Sequence, residues 1–247
     1  MSTTLIDSVK TVFTDVLVSK CAGLLGENES NTRKALQAAI PMALTSILHK
    51  AGYQESAVSV YNLSKQAAGN DFFGHVHELS VSSGGLAAGS ALLNKGGDYT
   101  NSLFGAASDS VIKEISRHSG VSLASASFLT GISTFACLDI IGRHIASENL
   151  DVKGMGDWLA TQRNSIINSI PTGLQVKHAL GITHYPGEKA GASGRNTTLY
   201  VIIALIIILA AAFFAYRYYY KPHNGEPVNT TDTTQGVRAD TTVAPAR

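Results

Sequence analysis

Residues 5–26 read LIDSVKTVFTDVLVSKCAGLLG. Leu5, Val9, Val12, Phe13, Val16, Leu17, Cys21 and Leu24 recur at three- and four-residue steps. That period puts them on one face of a helix. The spacing predicts a single amphipathic helix stopped by Gly26. An element with one apolar stripe needs something to bury it against, so this stretch calls for a bundle.

The same period continues along the chain. Ser30 is positioned to cap a second helix carrying Leu36, Ile40, Leu44, Ile47, Leu48 and Ala51, ended by Gly52. Pro41 lies inside it and predicts a kink, because proline has no amide to donate. A third helix carries Val58, Tyr61 and Ala68. A Ser/Gly run, Ser80 to Gly89, leads to Leu92 and Leu93. Leu103, Ala107, Val111, Ile112 and Ile115 predict a helix running to Gly120. Phe128, Leu129, Ile132, Phe135, Ala136, Ile140 and Ile141 predict the next, and Trp158, Leu159, Ile166, Ile167 and Ile170 one that meets Pro171. Alternating strand patterns with Asn-Gly turns are absent. The fold class is all-α, a helical bundle of antiparallel neighbours.

A displacement of 94 residues lays Leu5–Gly52 on Tyr99–Ala146, with Gly26 on Gly120, Leu44 on Leu138 and Ile47 on Ile141. Two readings stand, an internally duplicated pair of helical repeats or two helices that share a pattern.

Leu199 to Tyr216 reads LYVIIALIIILAAAFFAY, with no charge, Gly or Pro. At about 1.5 Å per residue it spans roughly 27 Å, close to the hydrocarbon thickness of a bilayer. Tyr200 and Tyr216, Tyr218, Tyr219 and Tyr220 suit the two headgroup zones, and Arg217 and Lys221 can snorkel outward. The expected partition is a helical domain at 1–185, a flexible linker at 186–198, a transmembrane helix at 199–216 and a disordered Thr/Pro-rich tail at 217–247. Asn196 and Asn229 each precede Thr-Thr, a short glycosylation-acceptor pattern. Met1 to Lys20 lacks the basic start and apolar run of a secretory signal. Flanking charges balance, Lys189 and Arg195 before and Arg217 and Lys221 after. The expectation is a single pass through the inner membrane with the N-terminal domain cytoplasmic.

Composition narrows the function. The 247 residues hold 19 Lys plus Arg and 18 Asp plus Glu. Over residues 1–198 the two signs are equal at 15 each. That balance argues against nucleic acid as a partner. Two cysteines, Cys21 and Cys137, exclude a disulfide scaffold, and both fall on apolar stripes as small hydrophobes.

Leu24-Leu25-Gly26, Ala38-Ala39-Ile40-Pro41-Met42-Ala43-Leu44, Gly84-Gly85-Leu86-Ala87-Ala88-Gly89 and Leu103-Phe104-Gly105 follow the amphipathic N-terminal helix. In this order they resemble the 937 family of bacterial domains of unknown function, over most of residues 1–185. The resemblance implies a bacterial, mainly helical domain with no established activity, and it supplies no catalytic residues. Some similar proteins continue through a transmembrane helix into a peptidoglycan-binding OmpA-like domain. This chain departs there, with only the Thr-rich tail after Tyr220.

Motifs that carry chemistry are sparse. Gly84 and Gly89 have phosphate-loop spacing, but Ser90 and Ala91 stand where Lys and Ser/Thr are needed. Gly85-x-x-x-Gly89 reads better as a flat helix face for close packing. His75 and His77 flank Val76 before Glu78, yet on a helix their imidazoles point about 200° apart. His49, His118, His144, His178 and His184 are scattered. Ser110 and Lys113 match SxxK without the motifs that accompany it in penicillin-recognising enzymes. Asp151 and Asp157 near Trp158 suit helix-start charges and a core aromatic. No catalytic, cofactor-binding or metal residue is assigned. The expectation is a non-enzymatic, membrane-tethered helical interaction or scaffold module, contacting the bilayer through one helix and a protein partner or a second copy through the domain. The alternative is a membrane-attached enzyme or small-ligand binder whose site is assembled from the scattered histidines and acids.

Overall fold

The computed structural model describes residues 4–81 and 86–185. The chain divides into two units, Met1–Gly191 and Ala192–Arg247, and every described residue belongs to the first. The expected linker, apolar segment and tail (186–247, with Asn196 and Asn229) lie outside the described residues, as do Gly84 and Gly85. The described residues form helices and no strand, as the period of the sequence requires.

Most of the stripe of residues 5–26 is buried, but Val16 is 59% exposed and the helix is not continuous. It forms α1 (Leu5–Val12) and α2 (Asp15–Leu25). Thr14 stands between them in extended backbone, and its Oγ1 accepts the Leu17 amide at 3.3 Å. A threonine hydroxyl offers the chain a cap in competition with continued helix. Leu5, Val9, Leu17, Val18 and Cys21 are buried on both sides of the break. Gly26 closes α2 at φ 66°, in the left-handed region where a side chain would be strained.

α3 (Glu29–Ala51) is capped by Asn28 rather than Ser30, with Asn28 Oδ1 accepting the Ser30 amide at 2.7 Å. It continues past the buried Pro41, which has no amide to offer the Gln37 carbonyl. Gly52 follows its last residue, and His49 and Lys50 complement the dipole in its last turn. α4 (Gln54–Ala68) buries Ala57, Val60, Ser64 and Ala67. The face predicted from Val58 and Tyr61 is rotated: Val58 is 45% exposed, and Tyr61 is half-buried with its hydroxyl donating to the Leu150 carbonyl.

α5 (Phe72–Val81) and α6 (Leu86–Phe104) take residues from both ends of the Ser/Gly run. The helix predicted across Leu103–Gly120 is interrupted by a 3-10 turn, Gly105–Ala107, with Gly105 at φ 55°. α7 (Ser108–Ser119) follows, closed by Gly120 at φ 81°. α8 (Leu123–Ser147) starts where Ser122 Oγ accepts the Ser125 amide at 3.1 Å. α9 (Val152–Asn168) ends before Pro171 as expected. α10 (Val176–Leu180) was not predicted, because five residues are too few to show a period.

α8 is the axis. It packs against α3, α4, α6 and α7, while α9 and α1 lie along α3. With mean hydropathy 1.5 it is long and apolar enough to cross a membrane, yet 83% of its apolar window is buried by the domain. A helix apolar all round and enclosed by its neighbours is a core helix. Two glycines let neighbours come close. A Cβ on Gly96 of α6 would stand 2.7 Å from the Gly131 carbonyl carbon of α8, so backbone meets backbone at that crossing. A Cβ on Gly142 would overlap the Ser64 carbonyl of α4. Gly89, from the predicted small-residue motif, packs against Leu24.

The 94-residue displacement reappears in the element boundaries. Moved by 94, α2 falls on residues 109–119, within α7, and α3 on 123–145, within α8. Gly26 and Gly120 are both left-handed helix ends, and Asn28 and Ser122 are both side-chain caps. The two connecting loops also touch: Glu27 Oε1 accepts the Ser122 amide at 2.8 Å.

Candidate functional site

Among the described residues, places that combine polar chemistry or open volume include a buried ionic cluster, an apolar groove and a cation-lined cleft. The cluster is built on Asp139, fully buried in the middle of α8. Its carboxylate takes Arg143 Nε at 2.8 Å and Nη2 at 3.3 Å, one turn along the same helix. The guanidinium lies over the Phe73 ring at 4.9 Å, which shields its flat face. Burial pushes the Asp139 carboxyl above the usual range, and the Arg143 bonds and charge oppose the shift. Beside it Tyr99 is buried against Phe135, ring centres 4.9 Å apart, and burial raises its phenol. The Tyr99 hydroxyl accepts from Asn70 Nδ2 at 2.6 Å, and Lys95 Nζ donates to Asn70 Oδ1 at 2.9 Å. Asp71 stands next at φ 48° and accepts the Gly74 amide at the start of α5.

Asp139 and Tyr99 face the core and not solvent. The cluster therefore pins the turn between α4 and α5 to α6 and α8, and a buried acid satisfied by two arginine nitrogens is held rather than presented. Sequence reasoning passed over Asp139. The available signal was a lone acid in the apolar run Phe128–Ile141 with an arginine four residues on.

The groove opens between α2, α6 and the start of α8. It is walled by Leu24, Leu25, Leu93 and Phe128, edged by Ser90, Ser122 and Ser125, and encloses about 390 Å³. Its lining carries no charge. Leu93 is 47% exposed, and Leu123 beside Ser122 is 54% exposed. The cleft lies where α1 breaks from α2, against α3 and the end of α9, and encloses about 290 Å³. Phe13, Val18, Leu36 and Ile40 form its floor, with Lys10 and Arg33 among its polar residues.

The residues singled out from sequence do not assemble. His75 is half-buried and His77 exposed on α5, two positions apart on a helix. His49 sits against Tyr53, and burial lowers its pKa. His144 stacks on Trp158 with ring centres 4.0 Å apart. Among the described residues no group of three or more His, Cys, Asp or Glu could hold a metal ion. Ser110 and Lys113 are exposed on α7. Asp151 caps α9, its Oδ1 accepting the Gly154 amide at 2.6 Å, and Asp157 pairs with Lys153. Cys21 and Cys137 are free and buried, and burial pushes the Cys21 thiol up to about 12.

Fold and sites together define a helical bundle organised around one buried apolar helix, with an inward-facing ionic staple and two small surface cavities. The family described as Bacterial protein of unknown function (DUF937) matches residues 7–144, more than half of the chain, and the chain belongs to it. The match runs from within α1 through most of α8, so nearly all of the central helix lies inside the family domain. No curated protein and no solved structure matches the chain.

Proposed function

We propose that this protein is a membrane-tethered helical interaction module, held in the bilayer by residues 199–216 and joining a second copy of itself through the apolar groove. The observation that carries this reading is the charge-free run Leu199–Tyr216 following a domain of balanced charge. Eighteen apolar residues match the bilayer core in length. A domain with equal numbers of acids and bases carries no net charge to keep copies apart. Tethering also raises the effective concentration of one copy near another, so even a small groove can support pairing. The proposed placement is a single pass through the inner membrane with the N-terminal domain on the cytoplasmic side.

Two measurements test it. The full chain should stay with membranes through a carbonate wash and leave them in detergent, and a chain lacking residues 199–216 should move to the supernatant. Release of the full chain by carbonate overturns the tether. In detergent, a Leu93→Cys variant should form a dimer through a symmetric disulfide, and Leu93→Asp should abolish chemical cross-linking between copies. A monomer in both experiments overturns self-association.

A further inference from the structure

We infer that the cleft at the α1–α2 break binds a small anionic amphiphile: its carboxylate or phosphate head between Lys10 and Arg33, its short apolar tail on Phe13 and Leu36. This inference does not depend on the membrane tether.

The cleft is amphipathic in the way such a ligand requires. Phe13 and Leu36 belong to the core, 8% and 3% exposed, so its floor is apolar and rigid. Lys10 is exposed in the last turn of α1. Arg33 is half-buried, with its side chain 43% exposed. The lining residues include two cations and no acid. Among the described residues the carboxylate engaged with them is Asp15, bonded to Arg33 Nη2 at 2.8 Å and itself 90% exposed. An exposed pair of this kind is weak and readily exchanged. Arginine can offer a ligand oxyanion the two-pronged contact it gives carboxylates and phosphates. A volume near 290 Å³ lies at the small end of ligand pockets and suits a chain of about eight carbons rather than a long acyl chain.

The second half of the domain shows why this position is open. Gln37 lines the cleft, and a displacement of 94 puts it on Gly131. Gly131 is covered by α6 through Gly96. The corresponding surface of α3 keeps its apolar floor with, among the described residues, no helix laid across Gln37, which is exposed. The position that is a helix crossing in one half is a cavity edged by cations in the other.

The test is a calorimetric titration of the full chain in phosphatidylcholine nanodiscs with octanoate, octyl phosphate and octyltrimethylammonium, the last as the cationic control. The two anions should bind saturably and more weakly as salt is raised, and the cation should not bind. Lys10→Met and Arg33→Met should each weaken octanoate about tenfold, the size expected for one charge-assisted contact. Asp15→Asn should tighten it by roughly threefold, because the competing carboxylate is gone. A merely structural role for these surface residues would not move the two classes of variant in opposite directions. Nanodiscs containing phosphatidylglycerol separate the sources: if they block octanoate the natural head belongs to a lipid, and if not it belongs to a free metabolite. Absence of saturable octanoate binding, equal binding of the cation, or indifference to both Lys10→Met and Arg33→Met overturns the inference.

Discussion

The pair α2–α3 and the pair α7–α8 have similar lengths and, at a spacing of 94 residues, share a left-handed glycine end and a side-chain cap on the second helix, but they use their long helices differently. α8 carries Gly131 and Gly142 at the positions where α3 carries Gln37 and Leu48. The glycines let α6 and α4 cross it at backbone contact distance. α8 carries Asp139 where α3 carries Thr45, both fully buried. α8 thus became the enclosed centre of the bundle, while α3, buried along Ala38–Leu48, kept an open surface at Gln37. Similar elements with similar boundaries can hold different places in a fold, and a few side-chain volumes decide which.

The comparison can be broken most sharply at the crossings. Gly142→Ala forces a methyl into the Ser64 carbonyl and should cost about 3 kcal/mol, and Gly131→Ala somewhat less. Gln37→Ala, at the corresponding exposed position of α3, should change stability by under about 0.5 kcal/mol. Urea unfolding followed by circular dichroism separates these outcomes, and equal costs at 131 and 37 would deny the difference between the helices.

Asp139→Ala removes the partner of an arginine that is itself 48% exposed and able to rehydrate. The expected loss is about 2 kcal/mol, below the usual figure for breaking a fully buried pair. Thr45→Val should be neutral or slightly stabilising, because the Thr45 hydroxyl is buried without a hydrogen-bond partner. The same unfolding experiment reads both, and a large loss at Thr45 would show that the two positions are equivalent after all.

Glu114 ties α7 to the segment before α10. It accepts Arg117 Nε at 2.8 Å and the Gln175 amide at 2.7 Å. The Arg117 bond, with help from the Gln175 amide, holds its carboxyl below the usual range against burial. A depressed carboxyl stabilises the fold fully above the ordinary glutamate pKa, and that contribution fades as pH falls through the folded value. Glu114→Gln should therefore lower stability by roughly 1–2 kcal/mol at neutral pH and flatten the acid limb of a stability–pH profile. An unchanged acid limb would mean that this carboxylate contributes nothing.

The smallest expected cost at a glycine should be the most symmetric. Gly26→Ala and Gly120→Ala place a methyl in left-handed backbone at corresponding helix ends, where neither meets a close contact. Each should cost about 1 kcal/mol by thermal melting. Unequal costs would mean that the loops are alike in form alone.

Much of the bundle was legible because burial imposes a period. The stripes of α3, α8 and α9 appear in the sequence at the positions they occupy in the fold. The breaks at Thr14 and Gly105 were not legible, since apolar spacing continues across them; a capping hydroxyl marks the first and a left-handed glycine the second. The face of α4 was misread because its buried residues are small: Ala57, Ser64 and Ala67 carry little hydrophobic signal. Of the sites, the ionic cluster left one trace, a lone acid in an apolar run, and the cleft left none, since Lys10 and Phe13 sit at the end of α1 and Arg33 and Leu36 on α3.

The sequence by itself determined the helical class, the family resemblance, the charge balance and the apolar run at 199–216, because each depends on composition and on order along the chain. Only the tertiary structure decided which long helix became the core, where backbones touch at Gly96 and Gly131, and how cations came to edge an apolar cleft. Those features depend on distances between residues far apart in sequence, and such distances are set by packing once the helices already exist.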